Sequence, residues 1–399
     1  MLAAEKSDTH PAAFLSIGFR PFFLFAGIYG VIPVIVWLLT YGGVMDLPGP
    51  LAPMLWHGHE MIFGFGVAAA TGFLLTAVPN WTGTPPVQGP VLAGLAALWL
   101  AGRAVMWVGW PLGGFFVAAL DLALIPAVAI VAGRRIASTG AGRNYVFLGL
   151  LAILFAGNLL MHLEAAGLAE NTAATGLRIG VYGFALLITL IGGRVIPNFT
   201  ANALKAAGNT APVASHPTVE KLVVIGVLTA TIAGITLESP NFIIGATALT
   251  AAALLAFRMR HWQTLQTRHQ PILWVLHLGH IWLVIGFALM GLAALGGPVG
   301  ESAAIHALTA GAMGTMILAM MTRAALGHTG RQVIASAPIV VSYAMASLGA
   351  ILRVLATVGE ALIGPSGPGL MIAAGGILWM LAFAIFTIVF WPILTGPRQ

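Results

Sequence analysis

Apolar blocks of about twenty residues recur along the chain, separated by short polar or Gly/Pro-rich connections. They fall at 21–41, 58–79, 89–109, 111–133, 145–165, 175–196, 220–237, 241–258, 271–294, 303–322, 334–358 and 369–394. Each is long enough to cross a bilayer as a helix. The pattern predicts an all-α, polytopic membrane protein, a bundle of about 12 transmembrane helices. A polar tail, 1–20, precedes a single transmembrane domain, 21–397. The split between the third and fourth spans rests on Gly109-Trp110-Pro111, and the longest connection is the Asn/Ala-rich stretch 198–218.

Composition agrees. Hydrophobic residues make up 59% of the chain and charged ones only 7%, against roughly a quarter charged in a soluble domain. Mean hydropathy is +0.98. Lysines and arginines fall on alternate connections: Lys6 and Arg20, then Arg134, Arg135 and Arg143, then Arg194, Lys205 and Lys221, then Arg258, Arg260 and Arg268, then Arg323 and Arg331, and finally Arg398. The other connections carry Asp46, Glu164, Glu170, Glu238 and Glu301, with Arg178 as their one cation. By the positive-inside rule both termini are expected to be cytoplasmic. The start of the chain lacks the basic region and compact apolar core of a cleavable signal, so the first helix is expected to remain as an anchor. The net charge of +6 reflects loop residues, and without a basic solvated domain it does not point to nucleic acid. There is no cysteine, which excludes disulfides, iron–sulfur clusters, thiolate-held metal and covalently attached c-type haem.

Histidine supplies the candidate chemistry. From His59 the chain reads HEMIFGFGVAAATGFLLTAVPNWTG, and from His306 it reads HALTAGAMGTMILAMMTRAALGHTG. Each has a glycine five residues on, Gly64 or Gly311, and ends in Thr-Gly. Two membrane helices that begin on histidine could clamp one planar cofactor. With the topology above, His57, His59, Glu60, His162 and His306 share the outer layer. His277 and His280 lie in the inner half of the ninth helix, and His328 lies at the inner interface. Neutral imidazole is a common ligand for haem and copper, and an intramembrane ionisable residue marks function by default. His57 and His59 stand about 200° apart round a helix, so they cannot face one site unless the first turn is irregular. His277 and His280 share a face, which suits two ligands on one metal or a hydrogen-bonded pair.

Blander readings compete. A single interfacial histidine is ordinary edge filling. Met313, Met316 and Met320 continue the face of His306, as copper(I)-favouring thioethers or as simple packing. Arg194, Arg323 and Arg331 form an inner cationic layer. It would suit haem propionates or another anion, and it equally suits a snorkelling positive-inside layer. No phosphate-binding Gly-Lys-Ser/Thr loop occurs, no Ser-His-Asp order, and HGHEM does not fit the zinc pattern HExxH.

The segments WHGHEMIFGF (56–65), GFLLTAVPNWTG (72–83), NLLMHL (158–163), IGGRVIPNFT (191–200), LHLGHIWL (276–283) and 306–331 resemble the NnrS family, haem- and copper-containing bacterial membrane proteins of the nitric oxide response. His57, His59, His162, His277, His306 and His328 match family-pattern histidines, as do Arg194 and Arg323. His280 stands where the family pattern has tyrosine. The resemblance implies haem b, copper and defence against nitrosative stress.

The function expected is a haem–copper oxidoreductase that binds, and in its enzymatic form reduces, nitric oxide. A membrane or quinone-linked donor would supply its electrons. In that reading His59 and His306 pair on the haem, His57 and His162 stand nearby as ligands or supports, His277 holds a deeper metal, and Glu60 handles a proton. The alternatives are a carrier of haem, copper or a metal–nitrosyl species, and a non-catalytic haem-based sensor or assembly partner.

Overall fold

The computed structural model describes residues 13–47, 49–209 and 211–399. The segment 1–12, with Lys6 and His10, lies outside the described residues. Among the described residues twelve helices are long and apolar enough to span a membrane: α1 (Phe19–Tyr41), α2 (Pro53–Thr82), α3 (Gly89–Val108), α4 (Gly114–Thr139), α5 (Gly142–Ala165), α6 (Ala173–Ala206), α7 (Pro217–Thr236), α8 (Phe242–Met259), α9 (Pro271–Ala294), α10 (Glu301–His328), α11 (Ala337–Ile363) and α12 (Gly367–Thr395). There is no strand among the described residues. All twelve coincide with the apolar blocks, because a bilayer core leaves a spanning backbone only its own helical hydrogen bonds.

The departures from the sequence pattern have local causes. α6 continues nearly three turns beyond its apolar block, through Pro197. Side chains take up carbonyls near the proline: Asn198 Nδ2 donates to Arg194 O (2.7 Å) and Thr200 Oγ1 to Ile196 O (2.8 Å). Half of the stretch read as the longest loop is therefore helix. α3 and α4 part at the short turn Trp110–Leu112, where the Gly-Trp-Pro signal placed it. α4 is itself broken after Asp121, resuming at Leu124. α1 breaks at Gly30, whose carbonyl accepts a hydrogen bond from Trp379 Nε1 at 2.8 Å. Pro33, which has no N–H to continue the helix, stands at the start of the next segment.

Neighbours in sequence pack as neighbours in space: α5 on α6, α7 on α8, α8 on α9, α9 on α10 and α11 on α12. α12 packs back on α1, so the two ends of the bundle meet. Arg20, at the start of α1, reinforces that closure by donating to Leu394 O at 3.1 Å. The α11–α12 crossing is close because a Cβ on Gly349 would stand 2.7 Å from Gly375 O. α2, α6 and α10 are the most enclosed spans and form the centre.

Both helices of the sequence echo carry a π-helical turn immediately after the histidine, Glu60–Gly66 in α2 and Ala307–Met313 in α10. A π turn shifts the register of everything beyond it and is frequent at functional sites.

Candidate functional site

His57 and His59 leave α2 in different directions, as their angular separation requires. His57 lines a cavity of about 830 Å³ together with His306. His59 is fully buried in a separate polar cluster. His57, rather than His59, therefore shares a space with His306.

The cavity opens between α1, α2, α6, α10, α11 and α12. Its size is near the top of the roughly 300–1,000 Å³ of small-molecule and cofactor sites. Its walls are mostly apolar, with Met61, Ile62, Val181 and Trp379 among them. A few polar groups converge on it. His306 Nδ1 lies 2.8 Å from the carbonyl of Ser302, one turn earlier in the same helix. That partner can only accept, so the proton sits on Nδ1 and Nε2 keeps its lone pair. This is the tautomer of a metal-ligating histidine with its second nitrogen anchored. The His57 ring stacks on Trp37, with centroids 4.7 Å apart and planes 21° apart, and its Nδ1 is buried without a hydrogen-bond partner. Two guanidiniums border the space. Arg178 pairs with Glu301 at 3.2 Å, and Arg353 donates to Ser302 Oγ at 3.0 Å. The donor set fits a large planar anion-bearing cofactor: two imidazoles, one with an open lone pair and one with an orphaned nitrogen, and two cations at the rim.

The second site is a closed network at the same end of the bundle. His59 Nδ1 lies 2.7 Å from Glu60 Oε1, and its Nε2 lies 2.8 Å from Asn158 Oδ1 and 3.3 Å from Asp121 Oδ2. His162 Nε2 lies 2.8 Å from the same Asp121 oxygen, to which Asn158 Nδ2 also donates at 2.9 Å. Arg103 Nη1 donates to both Glu60 oxygens at 2.9 Å, and its other arm bonds Asp121 Oδ1. Tyr29 donates to Glu60 and receives a bond from Trp107 Nε1 at 2.8 Å. His59, Asp121 and His162 offer one ligand atom each, close enough together to hold a metal ion. Two carboxylates face one guanidinium, so with neutral imidazoles the network is one positive charge short. Burying that imbalance in a bilayer is costly. Every group facing His59 Nε2 is an acceptor, so an added positive charge, a proton or a metal ion, would sit there. The glutamate on Nδ1 is the outer-shell carboxylate that commonly steadies a ligating histidine.

The remaining candidates lie elsewhere. His277 is held between two hydroxyls, Thr200 Oγ1 at 3.0 Å and Thr264 Oγ1 at 2.9 Å. His280 Nε2 lies 3.2 Å from Arg258 Nη2, and Arg258 reaches Glu220 at 3.1 Å. The two rings share a helix face but have different partners. His328 packs near Phe19, with ring centroids 5.9 Å apart. Arg194 covers Phe147, and Arg323 lies 3.7 Å over Phe199. Arg194 and Arg323 stand about 25 Å along their helices from Arg178 and His306, beyond reach of the cavity. Arg178 and Arg353 are the arginines that border it. Glu60 does not line the cavity but forms the centre of the polar cluster.

Sequence reasoning missed Tyr29, Arg103, Asp121 and Asn158. The signal was available for two of them. Arg103 is the lone charge of α3 and Asp121 the lone acid of α4, and they lie nine residues on either side of Leu112 in the connecting turn, so a helical hairpin brings them level.

The family whose profile is described as NnrS protein matches residues 13–398, nearly the whole chain. No curated protein matches the chain closely enough to count as a relative.

Proposed function

The chain belongs to the NnrS family, and from that premise we propose that it is a haem b- and copper-binding protein of the nitric oxide response in the bacterial inner membrane. The cavity shared by His57 and His306 is the haem site in this reading. The observation that carries it is the His306 ring, whose Nδ1 is tied to Ser302 O so that Nε2 presents a lone pair. A haem bound there would supply an iron to hold nitric oxide and one-electron chemistry to act on it.

The protein's own groups set the conditions. His306 offers the fixed nitrogen, and Trp37 holds the plane of His57 across the cavity. Arg353 and Arg178 provide charge for carboxylates of the cofactor. The apolar walls exclude water and strengthen those contacts. The second metal belongs at His59, Asp121 and His162, where two imidazoles and a carboxylate meet a charge deficit. Nitrogen and oxygen donors of this kind suit copper(II). His277, His280 and His328 are structural in this reading. The lysine and arginine pattern supports a topology with both termini in the cytoplasm and the cavity toward the outer face. A membrane or quinone-linked donor would deliver electrons for nitric oxide reduction.

The test is a reduced-minus-oxidised optical spectrum with metal analysis on purified protein, made beside His306→Ala, His57→Ala and His162→Ala. Haem lost or turned high-spin in the first two, with copper lost only in the third, is the expected result. Haem retained in both cavity variants would sink the assignment. Haem that exchanges freely into liposomes would favour a carrier. Full loading without nitric oxide-stimulated electron transfer would remove the enzymatic form and leave a sensor or binding role.

A further inference from the structure

Below the cavity, along the same three helices, lies a second space of about 60 Å³ with no polar side chain in its lining. On α2 the lining passes from Ile62 in the cavity to Ala69 and Ala70 in this chamber, and on α6 from Val181 to Phe184 and Ile188. On α10 a single residue, Met313, lines both spaces. The two linings stand seven residues apart on α2, Ile62 and Ala69, and two apart on α6, Tyr182 and Phe184. A Cβ on Gly66 would stand 2.8 Å from Phe184 Cζ and 3.3 Å from Met313 Sδ, so a bare glycine, a phenyl ring and one thioether close the gap. Methionine is unbranched and adapts its shape readily, which makes it the movable member of the three.

On its far side the chamber is bordered by Phe73, Ile191, Val195 and Ile317, all only half-buried. These side chains keep part of their apolar surface exposed on spans long enough to cross a bilayer, the side from which an apolar solute would arrive. An apolar void of this kind stays dry and accepts apolar atoms such as xenon. Charged or strongly hydrated molecules find no partner there.

We propose that this chamber is a side entrance by which a small uncharged diatomic gas passes from the bilayer to the cavity, with Met313 as its gate. Identifying that gas with nitric oxide rests on the functional reading above; the chamber does not.

Two measurements on the intact protein separate those ideas. In crystals pressurised with xenon, the chamber should hold a xenon atom among Phe184, Met316 and Ile317. In flash photolysis of carbon monoxide from the reduced protein, Met313→Trp should slow recombination from solution about tenfold, the effect of a small added barrier. Met316→Trp, at a residue that lines the chamber and not the cavity, should slow it likewise while its absorption spectrum stays that of the wild type, and Met313→Ala should not slow recombination. Should Met313→Trp fail to fold, Met316→Trp blocks the same chamber from its far side. An empty chamber under xenon, or wild-type recombination in the blocked variants, overturns the proposal. A protein without haem would overturn the functional reading instead, and xenon occupancy would then decide the chamber alone.

Discussion

Gly66 and Met313 face each other as the final residues of the two π-helical turns, with Met313 Sδ 3.3 Å from where a Gly66 Cβ would stand. The wider turns carry α2 and α10 from the level of the histidines to this contact. Gly66 leaves room for both Met313 and Phe184. Gly66→Val should overpack the junction and cost about 1–3 kcal/mol, seen as a lower melting temperature in detergent. Gly83→Val, at a helix end with nothing near its Cβ position, creates no such clash; its cost comes only from its positive φ of 66°.

Arg103 and Asp121 give a charge prediction with a definite order. Arg103→Met leaves two buried carboxylates without their cation, and breaking a buried pair in this way costs about 3–5 kcal/mol. Asp121→Asn brings the network to neutrality and should be milder. Thermal unfolding in detergent should therefore rank Arg103→Met well below Asp121→Asn. The reverse order would mean that the network is not one positive charge short.

The same geometry gives a test of the proposed metal site. A divalent ion that binds only the folded cluster raises stability by about 2.7 kcal/mol at a hundredfold excess over its Kd. Chelator-treated protein should gain melting temperature on titration with copper(II), and Asp121→Asn or His162→Ala should abolish that gain. His277→Ala should keep it, since both nitrogens of that ring are taken by Thr200 and Thr264.

The arginines separate two ideas about the cavity. Arg353→Ala should increase the rate of haem transfer to an apo-globin acceptor several-fold. Arg194→Ala and Arg323→Ala should leave that rate unchanged, because they stand at the other end of the bundle. Equal effects at Arg323 and Arg353 would disconnect haem retention from the cavity.

The bundle was legible in the sequence because spanning length and charge alternation are both strong signals. The shared end of His57, His59, His162 and His306 followed from the same helix count. Their division between two sites did not. It depends on where each side chain leaves its helix, and π turns alter that in ways a repeat of 3.6 residues cannot show. The match between the His59 and His306 segments marked two similar backbones, and the clamp read from it joined His59 to a space that His57 lines. Asp121 was hidden for a different reason. It was one acid within an apolar run, meaningful only once paired with Arg103 across the α3–α4 turn.

The seam between α1 and α12, reinforced by Arg20 on the carbonyl of Leu394, bears on the order of biosynthesis. The cavity takes walls from α1 and α2 and also from α11 and α12. Helices leave the ribosome in sequence, so that enclosure cannot form until the twelfth has been made. A cofactor held on all of those walls would enter a finished bundle rather than a growing one. The buried polar cluster, built from α1 to α5 alone, is complete after less than half of the chain has been synthesised.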